Sequence, residues 1–233
     1  MTKSITTQTL ITQGIRFNTA VVSQPSACLF DPCNPHLSAQ PVTQGGRNAA
    51  WFVLVEGTPA VLRHYKRGGL IAKIIRSSYF WLGTERTRSW AEYDVLLHLY
   101  NAGVAVPMPI AAQWKKHLGR YKAAILVARL PRALPIAHQL EKTAPKSVAF
   151  AVKQMHDAGV WHADLNVFNI LNDDNDRIHL IDFDRARRLT VVDSKQRLNN
   201  LLRLRRSLIK VRGDTGLQWY EQFYQAYQQL SEA

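Results

Sequence analysis

Cysteine is scarce in this chain, and long apolar runs are missing. Of its 233 residues only two are cysteines, Cys28 and Cys33, with four residues between them. They support neither a zinc site nor a disulfide framework, and two free thiols are the simpler interpretation. No window approaches the roughly 20 uncharged apolar residues of a membrane-spanning helix, so none is predicted. The N-terminus lacks the apolar block of a signal peptide, and we therefore expect a cytoplasmic protein.

Acidic residues are also few. Seventeen Asp and Glu stand against 30 Lys and Arg, which gives a net charge of +13 and a pI near 10.0. This excess predicts an anionic partner, and nucleic acid, a membrane surface and an anionic lipid are all candidates. The stretch from Arg63 to Leu82 mixes bases with apolar and aromatic side chains. That mixture suits a bilayer interface, and it also suits a strand and solvated loop whose aromatic side chains pack on a small lobe.

Two short strings carry most of the chemical information. Residues 161–169 read WHADLNVFN, and residues 181–184 read IDFD. They match H-x-D-L-x-x-x-N followed by D-F-x, the two catalytic signatures of the protein-kinase-like fold. A lone H-x-D match is common by chance, but here both strings occur in the right order, at hairpin spacing and after a predicted helix. The sequence therefore predicts phosphoryl transfer.

The chain between the two strings predicts a hairpin. Short apolar runs follow Asn169 and precede Asp182, and an Asn/Asp-rich turn at residues 172–176 separates them. Antiparallel pairing would bring Asn169 and Asp182 side by side, as oxygen ligands that suit Mg²⁺ together with water and phosphate. Asp164 precedes them on the same loop and can accept or orient the proton of an attacking hydroxyl. His162 is more simply a brace for the loop, because Asp164 already fills the chemical role.

The remaining pattern predicts helices and a β-rich N-terminal half. Apolar periodicity predicts helices over Thr87–Gly103 and Thr143–Gly159. Glu92 falls on the first, off the main apolar stripe and able to face a cleft. Gly45 and Gly46 precede a predicted strand, where a glycine pair can let backbone N–H groups approach phosphate, although an ordinary turn is the simpler interpretation.

A basic segment near the C-terminus predicts a further helix. Between Gln196 and Lys210, several arginines fall on one helical face, and the other face carries the apolar residues Leu198, Leu201, Leu202, Leu208 and Ile209. Such apolar stripes are usually core. The arginines either form a solvated face or contact an anion. Leu217–Leu230 carries tyrosines at helical spacing and predicts a packed terminal helix.

Taken together, these strings resemble the lipopolysaccharide-core sugar kinases of Gram-negative bacteria, and within that family most closely the kinases of 3-deoxy-D-manno-octulosonic acid (Kdo). The resemblance extends from Gly45 to Ser207. Its most particular strings are R-H-Y at residues 63–65 and R-G-G-L at residues 67–70. The catalytic strings also occur in kinases at large.

The resemblance implies an α+β, protein-kinase-like bilobal fold with a small β-rich N-terminal lobe and a mainly helical C-terminal lobe. Residues 1–233 would form a single domain, with lobes at about 1–127 and about 128–233.

The resemblance also implies an activity. The enzyme would use ATP and Mg²⁺ to phosphorylate the 4-hydroxyl of Kdo on Kdo-lipid A during lipopolysaccharide core biosynthesis. It would act peripherally at the cytoplasmic face of the inner membrane, with this anionic lipid and not nucleic acid as partner. Asp164 would be the base, Asn169 and Asp182 the metal ligands, and Glu92 the carboxylate that orients a cation over the nucleotide phosphates.

Two departures from the general kinase pattern matter. Arg63 replaces the usual strand lysine, so that either Arg63 or Lys66 contacts phosphate. Strand alternation places these two on opposite faces, and we favour Arg63. Asp184 replaces a glycine, which argues against a mobile activation segment. The alternatives are another kinase of the same fold, such as an antibiotic phosphotransferase or a protein kinase, and a non-catalytic binding module, which the presence of Asp164, Asn169 and Asp182 disfavours.

Overall fold

A computed structural model describes residues 5–10, 12–42, 50–65 and 78–232 of the chain. The chain divides into two compact units. The first comprises residues 1–94 and 108–129, and the second comprises residues 95–107 and 130–233. Residues 95–107, which precede the last two long strands of the first unit in the chain, thus group with the second unit.

The first unit is built on an antiparallel sheet. In the described ranges its strands are β1 Ile5–Leu10, β2 Gln13–Asn18, β3 Gln40–Pro41, β4 Ala50–Val55, β5 Thr58–His64, β6 Tyr79–Phe80, β7 Pro109–His117 and β8 Arg120–Ala128. Their spatial order is β1-β2-β7-β8-β5-β4-β3, and β6 pairs with β8.

The inner strand β5 has one face in the apolar core and the other face toward a helix. Ala60 and Leu62 are fully buried in the apolar core of the unit, together with residues of β2, β4, β7 and β8. Side chains of a strand alternate between faces, so Arg63 lies on the other side from Leu62. On that side it meets helix α1, Arg88–Asn101, whose Glu92 is only 3% exposed.

The second unit is mainly helical. Its elements are β9 Leu134–Pro135, α2 Pro145–Asp157, β10 Val160–Trp161, β11 Ile170–Asn172, β12 Ile178–Leu180, β13 Arg187–Arg188 and α3 Ser194–Glu232. The predicted apolar stripe of α2, Val148, Val152 and Met155, is fully buried. The expected α+β class, with a β-rich N-terminal part and a helical C-terminal part, is confirmed.

Helix α3 differs in part from its predicted stripe. Leu201, Leu204 and Leu208 are buried, but Leu198 is 43% and Ile209 is 36% exposed. The buried stripe therefore differs from the predicted one, because it includes Leu204 and excludes Leu198 and Ile209. The helix departs from helical geometry at Gly213, which separates the two predicted helical segments.

No helix within the described ranges combines the length and the apolarity that crossing a bilayer requires.

Gly159 ends α2 in a left-handed conformation, with φ of +76°. A Cβ atom there would lie 2.4 Å from the carbonyl oxygen of Leu189, whose N–H donates to the Gly159 carbonyl. Gly103 follows the end of α1 with nearly the same φ, +79°, but a Cβ atom added there would meet no atom within 4 Å. These two glycines separate the cost of backbone strain from the cost of a steric clash.

We expect Gly103→Ala to lower the free energy of unfolding by about 1 kcal/mol, the cost of placing alanine at positive φ. Gly159→Ala should cost about 1–3 kcal/mol more, because the added methyl group overpacks a backbone contact. Denaturant unfolding of both variants measures the difference. Equal losses would contradict the clash at Leu189.

Candidate active site

The catalytic loop between β10 and β11 is held by its own amide side chains. The backbone carbonyl of Asp164 accepts from Asn166 Nδ2 at 3.0 Å and from Asn169 Nδ2 at 2.9 Å. Asn166 Oδ1 accepts from the N–H of Phe168 at 2.9 Å. Leu165 and Val167 are fully buried. The loop therefore alternates apolar anchors with polar groups, and the Asp164 carboxylate stays half exposed.

His162 braces this loop, as the sequence predicted. Its ring is completely buried and lies 4.8 Å from that of Phe183. Nδ1 accepts from the N–H of Asp164 at 3.0 Å, so that the neutral ring donates from Nε2 to the carbonyl of Ile181, also at 3.0 Å. Burial lowers the pKa of His162. The two catalytic strings are thus joined through a neutral imidazole.

The predicted hairpin forms, with one refinement. In the ladder of β11 and β12, Ile170 pairs with Leu180, and the N–H of Ile181 donates to the carbonyl of Asn169. Asn169 is therefore opposite Ile181, and Asp182 is the next residue beyond the open end. Asp182 has a φ of +62°, a conformation that a non-glycine residue rarely adopts and that recurs at functional sites.

The donor atoms at this open end fit a hard divalent cation. Asn169 uses its Nδ2 on the carbonyl of Asp164, which leaves its Oδ1 as an oxygen ligand. Asp182 supplies a carboxylate. Mg²⁺ takes few protein oxygens and completes its shell with water and phosphate. Within the described ranges, no group of three or more His, Cys, Asp or Glu side chains could hold a metal ion.

One face of α3 holds the catalytic loop at three points. Asn200 donates to the carbonyl of His162 at 2.6 Å and accepts from its N–H at 3.1 Å. Arg203 Nε donates to Asp164 Oδ1 at 2.7 Å. Ser207 Oγ accepts from the N–H of Val167 at 2.9 Å. These residues are spaced i, i+3 and i+7, the spacing of one helical face.

A second buried histidine extends the network behind the loop. His156 Nε2 lies 3.1 Å from Asn200 Oδ1, and Nδ1 lies 2.7 Å from the hydroxyl of Tyr227. Burial lowers the pKa of His156 to about 4, and the nearby cation of Arg197 acts in the same direction. Burial raises the pKa of Tyr227. The neutral imidazole thus joins α2 to both segments of α3.

Within the first unit lies a buried carboxylate, Glu92, which is bound by Arg63 and Tyr65 among the described residues. Glu92 Oε1 accepts from Arg63 Nη2, and Glu92 Oε2 accepts from the hydroxyl of Tyr65. The Arg63 guanidinium also lies over the Tyr65 ring, 5.4 Å from its centroid. A buried carboxylate requires such compensation, since removing one partner of a buried ion pair costs about 3–5 kcal/mol. The pairing fixes Arg63 without removing it from solvent, because its side chain is 28% exposed.

The remaining expectations about phosphate contacts lie outside the described residues. Gly45, Gly46 and Lys66 fall there, as does the R-G-G-L string. The choice between Arg63 and Lys66 therefore rests on the contacts of Arg63 alone, and the glycine pair stays a prediction.

Sequence reasoning did not assign roles to Tyr65, Asn200, Arg203 or Ser207. Tyr65 stood in the quoted R-H-Y string, where its spacing from Arg63 already placed both on one strand face. Asn200 carried a signal too, as an amide among the leucines of α3. For Arg203, the spacing from Asn200 indicated only that the two share a face, and not what that face contacts.

Comparison with known proteins identifies a matching family and several relatives of this chain. Residues 36–227 match the model of the family described as Lipopolysaccharide kinase (Kdo/WaaP) family. A 3-deoxy-D-manno-octulosonic acid kinase of Vibrio cholerae is 37% identical over 217 residues, which cover 89% of this chain and 90% of the relative. Proteins of the same name from Xylella fastidiosa and Stenotrophomonas maltophilia are 39% and 40% identical; the matches cover 94% and 91% of this chain and 88% and 86% of the relatives.

Among solved structures, a glucosamine kinase (crystal form B) matches with a TM-score of 0.49 and 14% sequence identity. The match covers 97% of this chain and 82% of that chain.

The buried His156 predicts a pH-dependent stability. Its folded-state pKa, about 4, lies below the ordinary value of 6.5, so between these values the unfolded state binds the proton more tightly. The free energy of unfolding should therefore fall as the pH is lowered from about 6.5 to 4, by up to about 3 kcal/mol from this residue. Denaturant unfolding across this range should show a smaller fall in His156→Gln, whose amide can keep both hydrogen bonds.

His117→Gln, which removes an exposed histidine, serves as the control and should leave the pH dependence unchanged. If His156→Gln kept the full pH dependence of the unmodified protein, the network would not be the source.

Proposed function

Because this chain belongs to the Lipopolysaccharide kinase (Kdo/WaaP) family and is a phosphotransferase with an alcohol group as acceptor, we propose that it transfers the γ-phosphate of ATP to the 4-hydroxyl of Kdo on Kdo-lipid A. The proposal takes the class of acceptor from the relatives, which are 3-deoxy-D-manno-octulosonic acid kinases. It takes the chemistry from the loop of Asp164. This step belongs to the assembly of the lipopolysaccharide core.

The observation that carries the proposal is the placement of Asp164 and Asn169 on one loop whose backbone is fixed on several sides. Phosphoryl transfer through a loose transition state needs mainly positioning and charge neutralisation. Asp164 presents a half-exposed carboxylate to receive the hydroxyl proton of the sugar. Asn169 and Asp182 supply the two oxygens that would hold Mg²⁺.

Arg63 is the cation that we propose to contact the nucleotide phosphates. Glu92 and Tyr65 hold it from one side, and both of their contacts are made within the first unit. A guanidinium differs from the usual lysine by offering several N–H donors in a fixed plane, which matches phosphate oxygens. Its orientation is set before the nucleotide binds, because a buried carboxylate fixes it.

Mg²⁺, when held by Asn169 and Asp182, would neutralise the negative charge that develops during transfer. The residues of this chain then have three separate tasks. Asp164 orients the hydroxyl and receives its proton, Asn169 and Asp182 hold the metal, and Arg63 holds phosphate. Asp184, which stands where protein kinases have glycine, lies two residues after Asp182 in the chain.

We expect purified protein to transfer labelled phosphate from ATP to Kdo-lipid A, and Asp164→Asn to lower the rate by about 10²–10⁴-fold. The substitution removes the carboxylate and leaves the three backbone hydrogen bonds of Asp164 in place, so thermal unfolding should change little. An unchanged rate would contradict the assignment of the base. Transfer to an aminoglycoside or a protein, with none to Kdo-lipid A, would instead contradict the acceptor.

The metal assignment predicts a changed Mg²⁺ requirement. In Asp182→Asn we expect the Mg²⁺ concentration for half-maximal activity, or the activity itself, to change by about 10–100-fold, the scale of lost support for a metal ligand. Asp174→Asn is the matched control. It removes the same charge from the exposed turn of the same hairpin, where Asp174 pairs with Arg132 at 3.1 Å. Equal Mg²⁺ requirements in both variants would remove Asp182 as a ligand.

An anionic lipid acceptor also suggests peripheral association with the cytoplasmic face of the inner membrane. The net charge of +13 favours it, and so do the exposed apolar residues beside arginines on α3. We expect the protein to sediment with vesicles that contain anionic phospholipid and to be released at high salt, which screens the attraction. Vesicles of neutral phospholipid are the control. Equal partition to both at low salt would contradict an electrostatic attachment.

A further inference from the structure

The contact between Arg203 and Asp164 has a feature that the metal and base assignments do not use. Arg203 donates from Nε to Oδ1 alone. In the part of the chain that the structure describes, Asp164 Oδ2 has no hydrogen bond. The Asp164 carboxylate therefore has one oxygen, Oδ1, that is hydrogen-bonded to Arg203, and one, Oδ2, that is open to a substrate hydroxyl. The contact with Arg203 determines which oxygen is open.

The position of Arg203 is itself imposed by its neighbours on α3. Asn200, which is 1% exposed, and Ser207 bind the backbone on either side of Asp164, one helical turn before Arg203 and one turn after it. The helix therefore cannot slide or rotate relative to the loop without breaking these hydrogen bonds. These contacts therefore keep the Arg203 side chain at a constant distance from Asp164.

The ion pair between Arg203 and Asp164 contributes little to the stability of the fold. Its side chains are 47% and 50% exposed, and exposed ion pairs contribute at most about 1 kcal/mol to folding. A fixed orientation at a reacting group matters more, because small misplacements of a catalytic group can slow a reaction by about 10²-fold.

We propose that Arg203 is a positioning residue for phosphoryl transfer, which holds Asp164 through Oδ1 so that Oδ2 meets the acceptor hydroxyl. The inference rests on the proposed function of Asp164. In the step, the hydroxyl oxygen forms its bond to the γ-phosphorus, the bond from that phosphorus to the β,γ-bridging oxygen breaks, and ADP leaves. The hydroxyl proton passes to Asp164 Oδ2. Arg203 stays protonated throughout.

The test is a double-mutant cycle on kcat, with radiolabelled ATP and Kdo-lipid A. Arg203→Met keeps the aliphatic stem and should lower kcat by about 10–100-fold, with little change in the KM for ATP or in thermal stability. Arg203→Lys should recover part of the rate. Arg206→Met is the matched control, since Arg206 is exposed one turn later on the same helix, and should stay within about twofold of the unmodified enzyme.

The decisive variant carries Arg203→Met together with Asp164→Asn. If Arg203 acts through Asp164, the double variant has the kcat of Asp164→Asn alone, because the orientation of a lost base no longer matters. A further loss of the same factor in that background would overturn the inference and indicate an independent action, such as a direct contact with phosphate. Equal rates in Arg203→Met and Arg206→Met would overturn it as well.

The same reactions separate this inference from the proposed acceptor. If the unmodified protein transfers no phosphate to Kdo-lipid A, the acceptor is wrong, and the cycle is then measured on the hydrolysis of ATP. Water replaces the sugar hydroxyl there, and its proton passes to the same oxygen. If Arg203→Met slows hydrolysis only while Asp164 is intact, the result would again support Arg203 as a positioning residue. An equal loss in the Asp164→Asn variant would overturn it.

Discussion

The candidate site depends on the buried contact between helix α3 and the catalytic loop. Asn200 is almost completely buried and satisfies both the N–H and the carbonyl of His162 with one amide group. A backbone segment buried without such partners would lose the full desolvation cost of its polar groups, about 1–3 kcal/mol for each. Because the Asn200 amide makes both hydrogen bonds, a loop with polar backbone groups can lie against an apolar core.

Two buried histidines connect this contact to the neighbouring elements of the second unit. His156 fills the third hydrogen bond of Asn200 and stays neutral, which ties the end of α2 to the same point. His162 then links the loop to the β12 side of the hairpin through Ile181. The loop, the hairpin and two helices are thus fixed by neutral imidazoles, and the charged side chains of Asp164 and Arg203 are about half exposed.

The first unit follows a different physical rule. There a buried charge is compensated by a cation and a hydroxyl, in the cluster of Glu92, Arg63 and Tyr65. The buried carboxylate orients the guanidinium of Arg63, whose side chain stays partly exposed. The excess of positive charge over the whole chain acts at longer range, since it favours anionic partners of any kind and selects none.

Local patterns in the sequence determined the helices and the hairpin, and they predicted which groups react. The predicted helix Thr143–Gly159 contains α2, Pro145–Asp157, because periodicity, proline and glycine act within a few residues. The α+β order and the catalytic strings were likewise readable from short segments. Only the tertiary structure decided that Asn169 lies opposite Ile181, that Leu198 and Ile209 are exposed, and that Arg203 lies on Asp164. Those facts depend on register, helix rotation and the meeting of segments about forty residues apart, and no local pattern encodes the partner that a helical face will meet.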